Sequence, residues 1–404
     1  MPTIARPFIA VLVITAAITT TKGTVEIAYP PYLAGYGYAL SLIGFLTSLI
    51  AVLQLISRLP VGVAYRADRV KRQLAFALVA FAISTSGFAF AAGQPLAVAA
   101  LSVLHGFAFG SLGTLGLALA IDVSGGRRAG VSMAWYTAAN STGYALGALI
   151  GGSLADTIGI PSTLGLIGLL PFAAAAVVVA LPPVEAAPFP IDRGSGIRGL
   201  FSAGARLDSR VWLAFVVVLY LNALMDSVDT FFPVFAPTIG ISLAIVGVLR
   251  AVKSGAAISI RSTGVILLRS VDYRRVTLVA VFAAAAATAA LPLSASLAVL
   301  LPIFVVLGLA RGVLRTTSAA TIAELRNEGR DVGLASGIYN SGLDIGTIVG
   351  PALGGVIASA FGIAAMFQIM AVVSLLAWLA VAVSSPITRE AAGLTKRHTI
   401  GPPA

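Results

Sequence analysis

Apolar residues fill this chain in runs of about twenty that are separated by short polar segments, from the amino end almost to the carboxyl end. A run of that length crosses the hydrocarbon core of a bilayer as a helix. The pattern predicts an all-α membrane protein with twelve such helices, which we number as spans 1 to 12: 8–30, 38–60, 74–92, 96–121, 131–155, 162–181, 210–235, 240–262, 276–292, 296–320, 334–359 and 363–384.

The composition also indicates a protein surrounded by lipid. Of 404 residues, 58% are hydrophobic and 10% are charged, and the mean hydropathy is +1.00. So few polar side chains cannot cover the surface of a water-soluble globule. The chain contains no cysteine, which excludes catalysis by a thiolate.

The hydropathy breaks between spans 6 and 7. The segment LPPVEAAPFPIDRGSGIRGLFSAGARLDSR is rich in proline, glycine and charge, which is typical of a linker. We therefore divide the chain into an amino-terminal six-helix bundle over 1–182, a cytoplasmic linker over 183–209, and a carboxyl-terminal six-helix bundle with a short cytoplasmic tail over 210–404.

The basic residues lie on one side of the predicted spans. The formal net charge of +11 would suggest nucleic-acid binding in a soluble protein. Most Lys and Arg residues, however, lie at the amino end, in loops after even-numbered spans, or in the tail, whereas the loops GYGY, GQPL and PTIG after odd-numbered spans have none. Because positive loops stay on the cytoplasmic side, we expect a multi-pass protein of the cell (cytoplasmic) membrane with both termini in the cytoplasm. Its partner is the lipid bilayer, and we expect no nucleic acid partner.

The two halves of the chain repeat each other. Shifting the sequence by 203 residues aligns them without a gap. The matched residues include Pro30 and Pro233, Gly44 and Gly247, Arg58 and Arg261, Gly147 and Gly350, and Gly152 and Gly355. Because an even number of spans separates each residue from its partner, both halves enter the membrane in the same direction and form a parallel repeat. Such repeats are typical of transporters whose two bundles rock about a central site.

Two glycine-containing motifs add to this pattern. The segment RLPVGVAYRADRVKR follows span 2, and GIYNSGLDIGTIVGPALGG in span 11 carries G-x8-G-x3-G-P-x2-G-G in full. Span 5 has Ala134 and Ala148 in place of the first glycine and the proline. Such glycines let helix backbones approach and slide, and a proline permits a bend, although tight packing without movement is the alternative. The candidate gating residues are Gly62, Arg66, Asp68, Arg69, Arg72, Gly143, Gly147, Gly337, Gly346, Gly350, Pro351, Gly354 and Gly355.

With its two parallel halves, its charged linker and these motifs, the whole chain resembles the major facilitator superfamily. In the first motif Arg66 stands where the family has an Asp, and Asp68 follows two residues later. The resemblance implies that spans 1, 4, 7 and 10 line a central cavity and that spans 3, 6, 9 and 12 lie outside. Those outer spans contain no Lys, Arg, Asp, Glu or His, which fits a lipid-facing position because a charge in hydrocarbon costs about 2.5 to 3.5 kcal/mol. The family associates the second motif with export when it lies in span 5, so the resemblance suggests export.

Charged and polar side chains lie within the other spans. Since a charge in lipid is costly, we expect these groups to face a polar cavity. The basic groups slightly outnumber the acids and concentrate in the carboxyl half, which is compatible with an anionic or zwitterionic substrate. The candidate substrate-binding residues are Lys22, His105, Asn222, Asp226, Arg250, Lys253, Arg311, Arg315 and Asp344.

Glu26 and Asp229 are partners in the repeat, each four residues before a matched proline. We expect them to face each other across the cavity and, together with Asp226, to be the candidate proton-coupling residues. The alternative is a set of static ion pairs: Lys22 with Glu26, Asp226 or Asp229 with Arg250, and, from their similar depth, Arg311 with Asp344. His105 is either a packing residue or part of a proton relay.

These observations predict a secondary active transporter that moves a small organic solute by alternating access, coupled to protons and acting as an exporter of the drug or metabolite antiporter type. One alternative is proton-coupled uptake or exchange of an organic anion through the basic residues of the carboxyl half; another is a membrane sensor that transports nothing. No HExxH or GxSxG motif is present, so we expect no enzyme. We expect no metal, because His and carboxylates are not clustered at coordination spacing. We also expect no cofactor, and we expect the protein to be a monomer.

Overall fold

The computed structural model of the chain describes residues 6–66, 68–91, 93–124, 129–180, 209–267, 273–327 and 332–384. The predicted linker and tail lie almost entirely outside these residues. The described residues form α1 (Arg6–Gly35), α2 (Leu40–Ala64), α3 (Val70–Ala91), α4 (Pro95–Val123), α5 (Ala129–Ile158), α6 (Ile160–Ile167), α7 (Leu169–Ala180), α8 (Ser209–Phe235), α9 (Leu243–Leu267), α10 (Tyr273–Ala290), α11 (Leu297–Asn327), α12 (Val332–Phe361) and α13 (Ile363–Ser384), with 3₁₀ turns at Ala236–Ile239 and Leu291–Leu293.

The helices account for all of the predicted spans and confirm the all-α prediction. Helices α6 and α7 together form span 6, so α8 to α13 correspond to spans 7 to 12. Within the described ranges, 11 helical segments are long and apolar enough to cross a membrane. Helix α5 is not one of them although it has 30 residues, because its Asn, Ser, Thr and Gly residues make it less apolar.

Most helix ends differ from the predicted bounds; span 10, for example, is predicted to end at 320, whereas α11 ends at Asn327. Two differences from the prediction have their cause in prolines and glycines. Helix α1 continues through Pro30 and Pro31 to Gly35, since the buried residues around the prolines are held by packing that outweighs the two lost hydrogen bonds. Span 6 breaks at Gly168, which lies so close to α3 that a Cβ there would be 2.8 Å from the backbone nitrogen of Ser86. Pro171 in the first turn of α7 has no N–H to extend the hydrogen bonds of α6.

The repeat seen in the sequence is also a repeat in backbone conformation. Gly37, after α1, and Gly240, after α8, both have φ of 79°, while Gly159 and Gly362, after α5 and α12, have φ of 82° and 84°. Residues other than glycine rarely adopt such angles. Each pair is separated by 203 residues, so the same turns recur at the same places in both halves.

The helices pack as two halves. In the amino-terminal half, α1–α7, helix α1 packs on α5 and α2 on α4; in the carboxyl-terminal half, α8–α13, the equivalent helices α8 and α12, and α9 and α11, pack in the same way. Within the described residues, α3, α6, α7, α10 and α13 make no substantial contact with the other half, as expected for outer spans. The halves meet where α2 packs on α12, α5 on α9 and α1 on α8.

One face of the bundle is closed between the halves. We call the side on which α7 ends and α8 begins the linker side, and the opposite side, with the turns after α1, α5, α8 and α12, the far side. An apolar cluster near the far side includes Leu33 and Ile43 of the amino-terminal half together with Phe231 and Phe235 of the carboxyl-terminal half. The far side is therefore filled by a core that both halves share.

Candidate functional site: a charged cavity between the halves

A cavity of about 550 Å³ lies between the two halves. Its lining residues come from α1, α2, α5, α8, α9, α11 and α12. Three of the lining residues lie on the linker-side parts of their helices and are exposed: Thr137, Ile258 and Asn340. Because the shared apolar cluster fills the far side, the cavity opens toward the linker side.

A set of ion pairs lies inside this cavity, and the pair of Arg250 with Glu26 connects the two halves. Arg250 Nη2 of α9 lies 2.8 Å from Glu26 Oε2 of α1, and Arg250 Nε lies 3.5 Å from Asp229 Oδ1 of α8. Lys253 forms an ion pair with Asp229, Arg311 Nη1 lies 3.6 Å from Asp229 Oδ2, and Lys22 Nζ lies 3.5 Å from Glu26 Oε1. We call these six residues the charge network: Lys22, Glu26, Asp229, Arg250, Lys253 and Arg311.

Glu26 and Asp229, which the sequence predicts to face each other, both contact the guanidinium of Arg250. The charged residues reach the cavity because they recur at helical spacing along α1 and α9. Lys22 and Glu26 are four apart on α1, and Arg250 and Lys253 are three apart on α9. Residues at such spacing share one face of a helix, so each helix turns a polar stripe toward the cavity.

Asn222, Asp226 and Arg315 extend the polar surface toward the linker side. Asn222 Nδ2 donates to the carbonyl of Leu343 at 2.8 Å, and Arg315 Nη2 donates to Asn222 Oδ1 at 3.5 Å. Asp226 lines the cavity one turn from Asp229. None of the ion pairs formed within the described ranges involves Asp226. Its carboxylate instead has a hydrogen bond with the side chain of Thr347 and lies near the charge of Arg311.

Asp344 does not pair with Arg311, which corrects the prediction from depth. Arg58 Nη1 of α2 instead lies 2.8 Å from Asp344 Oδ1 and 2.7 Å from Oδ2. Depth in the membrane could not distinguish these partners, because α12 packs against α2 and turns Asp344 across the interface between the halves. Asp344 thus joins the two halves at the edge of the cavity, while Arg311 belongs to the charge network.

His105 does not line the cavity. It is fully buried within the amino-terminal half, its ring centroid is 4.6 Å from that of Phe81, and its Nδ1 lies 3.3 Å from Ser84 Oγ and 3.4 Å from Thr85 Oγ1. Helix α4 contributes no described residue to the cavity lining, in contrast to the expectation for span 4. The reason is that α2 lies between α4 and the carboxyl-terminal half.

Most glycines of the second motif pack within one half. Gly143 and Gly147 of α5 contact α1, and Gly346, Gly350 and Gly354 of α12 contact α8. A Cβ on Gly143 would be 2.7 Å from the carbonyl oxygen of Ala16, and one on Gly346 would be 2.7 Å from that of Leu219. These glycines therefore permit close helix packing inside each half.

Pro351 and Gly355 of α12 differ from the other motif residues because they face the opposite half. A Cβ on Gly44 of α2 would be 3.0 Å from Gly355 Cα and would overlap the carbonyl oxygen of Pro351. Gly337 lies on α12 in a stretch of which only the backbone is described. The second motif thus contributes residues to the interface between the halves at its carboxyl end.

The first motif lies on the linker side. Its candidate residues are exposed around the turn between α2 and α3: Gly62, Arg66, Asp68, Arg69 and Arg72. Arg69 Nε lies 3.6 Å from Asp68 Oδ2. Beside them lies a contact that the sequence did not predict, in which the Tyr65 hydroxyl donates to Asp122 Oδ2 of α4. Burial raises the pKa of Tyr65, and the hydrogen bond to Asp122 and its negative charge act in the same direction. Tyr65 therefore stays protonated and can keep donating this bond.

Uncharged polar residues of the cavity were also missed by the sequence analysis. Asn140 and Tyr144 of α5, Thr230 of α8 and Thr347 of α12 line the cavity. Such residues carry a smaller burial cost than charges and are common in helices, so they do not stand out from an apolar sequence. The low hydropathy of α5 was the one available signal.

A sequence model of the Major Facilitator Superfamily matches residues 11–325 and 263–399. The chain belongs to this superfamily, which confirms the resemblance seen in its repeat and motifs. The protein is therefore a multi-pass membrane transporter of the secondary kind, and its family and fold are those of transporters rather than enzymes. A comparison with curated proteins finds no significant match.

The fold is similar to those of several solved transporters. The crystal structure of nucleoside transporter NupG gives a TM-score of 0.76 at 14% identity, over 94% of this chain and 99% of that chain. A bacterial homologue of the human lysosomal transporter Spinster, in an inward-facing and unoccupied conformation, gives 0.73 at 15% identity over 96% of both chains. An auto-inhibited POT family peptide transporter gives 0.71 at 13% identity over 99% of both. At these identities the similarity shows the fold alone.

Proposed function

We propose that this transporter couples the movement of a small organic solute to protons and exports the solute from the cytoplasm. The observation that carries the proposal is the ion pair between Arg250 of the carboxyl-terminal half and Glu26 of the amino-terminal half, inside the cavity. A bond between the halves must stretch or break when the halves rock. A group that changes charge at this bond can therefore link proton binding to the position of the halves.

Glu26 is the carboxylate that we assign to proton exchange. Its side chain is 30% exposed, whereas that of Asp229 is 12% exposed. A proton on Glu26 Oε2 removes the negative charge that holds Arg250 Nη2. Arg250 then remains on Asp229 and can offer its guanidinium to an acceptor on the solute, and loss of the proton restores the first bond.

Three further parts of the proposal rest on separate observations: the direction of transport, the membrane that holds the protein, and its oligomeric state. The glycine and proline pattern of α12 matches the pattern associated with export-type antiporters in the family, although it lies in span 11. From the basic loops we infer that the linker side faces the cytoplasm of a cell whose cytoplasmic membrane holds the protein, so the cavity would take its solute from the cytoplasm. We infer a monomer as the unit of transport, since both halves that enclose the cavity belong to a single polypeptide.

Proteoliposomes test coupling and direction together. Candidate solutes are first screened by the thermal shift that they cause in purified protein, and their flux is then followed under an imposed proton gradient. We expect an inward proton gradient to drive the solute outward, and an ionophore that collapses the gradient to stop this flux. Solute accumulation with the gradient would indicate uptake, and an absence of both solute and proton movement would indicate the non-transporting sensor.

Uptake or exchange of an organic anion is the second candidate, and the charge of the cavity favours it. Among the described residues, six basic ones line the cavity against four acidic ones, a formal excess of two positive charges. The basic residues are Lys22, Arg58, Arg250, Lys253, Arg311 and Arg315, and the acidic ones are Glu26, Asp226, Asp229 and Asp344. Such an excess attracts a carboxylate or phosphate.

Matched solute pairs decide between the two substrate classes. For the anion candidate, a solute with a carboxylate should raise the melting temperature while its neutral amide should not. Arg311→Gln should weaken binding of the carboxylate about tenfold, the equivalent of about 1.4 kcal/mol. Equal stabilisation by the carboxylate and the amide would exclude the anion candidate.

A further inference from the structure

Three hydrogen bonds join the halves at the far side, in two groups that the repeat relates. The backbone N–H of Ser41, at the start of α2, donates to Oγ of Ser359 near the end of α12 at 2.7 Å. The N–H groups of Leu243 and Ala244, at the start of α9, donate to Oδ1 and Oδ2 of Asp156 near the end of α5 at 3.1 and 2.7 Å. Ser41 and Ala244 are 203 residues apart, as are Asp156 and Ser359.

These contacts satisfy helix ends that lack partners in their own half. The first N–H groups of an α-helix have no acceptor within the helix, and a side chain just before the helix usually supplies one. Before α2, however, Ala39 makes no side-chain cap. Before α9, Ser242 Oγ accepts only a long bond of 3.4 Å from the N–H of Ile245. Each half therefore caps a helix of the other half.

Glycines bring the two pairs of helices close enough for these caps. A Cβ on Gly355 of α12 would be 2.7 Å from the carbonyl oxygen of Leu40. A Cβ on Gly152 of α5 would be 3.1 Å from Ala244 Cα. Gly152 and Gly355 are themselves repeat partners, so both interfaces use a glycine at the same place beside the cap.

We propose that these reciprocal caps are the latch of the far side. They hold the far side closed while the cavity is open on the linker side, and they separate when the far side opens, which leaves the amino ends of α2 and α9 without their acceptors. Separation of the halves cannot preserve them, because donor and acceptor belong to different halves in each case. The latch therefore sets how often the far side opens.

The two caps have unequal strength. Asp156 carries a negative charge, accepts two N–H groups, and lies at the positive end of the α9 dipole. Ser359 is neutral and accepts one N–H group from α2. The cap between α5 and α9 is therefore the stronger part of the latch, and Asp156 is its principal positioning residue.

The rate at which a cysteine in the cavity reacts from the far side measures the opening of the latch. The chain has no cysteine, so Thr47→Cys, a lining position on α2, can be the single target of a membrane-impermeant maleimide added outside intact cells. Tyr36→Cys reports the sidedness of the experiment, because Tyr36 is 54% exposed in the turn between α1 and α2. Below saturation, the reaction rate at position 47 follows the open fraction even when that fraction is small.

We expect Asp156→Ala to raise the labelling rate at position 47 about fivefold, the typical effect of a lost helix cap. Ser359→Ala should raise it about twofold, while Asp156→Asn, which keeps one acceptor, should give an intermediate rate. Ser359→Asp should lower the rate, since it adds a charged cap to α2. Thr157→Ala is the matched control, because among the described residues the Thr157 hydroxyl donates to α5 itself, at 2.9 Å to the carbonyl of Ser153 and 3.3 Å to that of Leu154.

An unchanged rate in Asp156→Ala and Ser359→Asp, or an equal increase in Thr157→Ala, would overturn the latch. If Thr47→Cys never reacts from the far side while Tyr36→Cys does, both the latch and alternating access are wrong. The measurement needs neither solute nor proton gradient. Its outcome is therefore separate from the proposed proton coupling, which can fail while the latch holds.

Discussion

At the scale of single residues, the repeat places the same chemical group in two different environments. Asp229 contacts Arg250, Lys253 and Arg311 and is mostly buried. Glu26 contacts Lys22 and Arg250 and is more exposed to the cavity. Removal of one partner from a buried set of ion pairs leaves charges uncompensated, whereas water can compensate a partly exposed one. The two carboxylates should therefore respond differently to neutral substitution.

Glu26→Gln should abolish the coupling of solute flux to protons while leaving the protein folded. Glutamine keeps the size and one hydrogen-bond acceptor for Arg250 but cannot exchange a proton. We expect solute-dependent proton movement in proteoliposomes to fall at least about tenfold, because no proton can be exchanged at this position. The melting temperature should change little. Unchanged proton movement in this variant would rule out the assigned proton role of Glu26.

Asp229→Asn should also reduce coupled transport, but with a loss of stability. Three basic groups would lose their shared anion, at a cost of about 3 kcal/mol in the free energy of unfolding. A lowered denaturation midpoint relative to Glu26→Gln is the expected result in detergent. Equal midpoints for the two variants would show that Asp229 does not anchor the charge network.

Some residue contacts could be predicted from the sequence and others could not. The i and i+4 spacing of Lys22 and Glu26 indicates their pair directly, and the repeat indicates that Glu26 and Asp229 approach each other. The pair of Arg58 with Asp344 depends on which faces of α2 and α12 meet. No spacing rule within one helix contains that information, so the depth of Arg311 gave the wrong partner.

At the scale of helices, small residues decide how closely neighbours pack. Gly147 of α5 lies against α1, where a Cβ would be 3.0 Å from Gly23 Cα and would overlap the carbonyl oxygen of Thr20. Gly255 of α9 has no atom within 4 Å of such a Cβ. The two glycines thus form a matched pair for substitution.

Gly147→Ala should destabilise the protein by about 1 to 3 kcal/mol, since both helix backbones would have to move apart. Gly255→Ala should cause no loss, because alanine favours a helix over glycine by about 0.5 to 1 kcal/mol. Denaturation of the two purified variants and the parent measures the difference. If Gly147→Ala is as stable as the parent, close packing of α1 on α5 contributes little to stability.

The positions of the helices could be predicted well, but their interruptions could not. The apolar runs of the sequence located every span, including span 5 although it is less apolar than the others, since bilayer thickness fixes the length of such a run. The break at Gly168 depends on the close approach of α3, and the continuation of α1 past Pro31 depends on packing around it. Both are tertiary effects that outweigh the local preference of a residue.

At the scale of the whole molecule, the two interfaces between the halves are related by the repeat but are not identical. The interface of α5 with α9 has the carboxylate cap of Asp156, and that of α2 with α12 has the hydroxyl cap of Ser359. The second interface adds the ion pair of Arg58 with Asp344. In the repeat, Asp344 corresponds to Ser141, so the first interface has no acid at the equivalent position. The stronger cap and the ion pair therefore lie in different interfaces.

The central claim is that one cavity, lined by the charge network, opens alternately to each side of the membrane. Labelling of Thr47→Cys from each side separately tests it most directly, because no substrate has to be known. We predict that the maleimide reacts from the linker side in inside-out membrane vesicles, which expose that side. In intact cells it should react from the far side, but more slowly. Reaction from one side alone under every condition, with Tyr36→Cys confirming access to the far side, would contradict the claim.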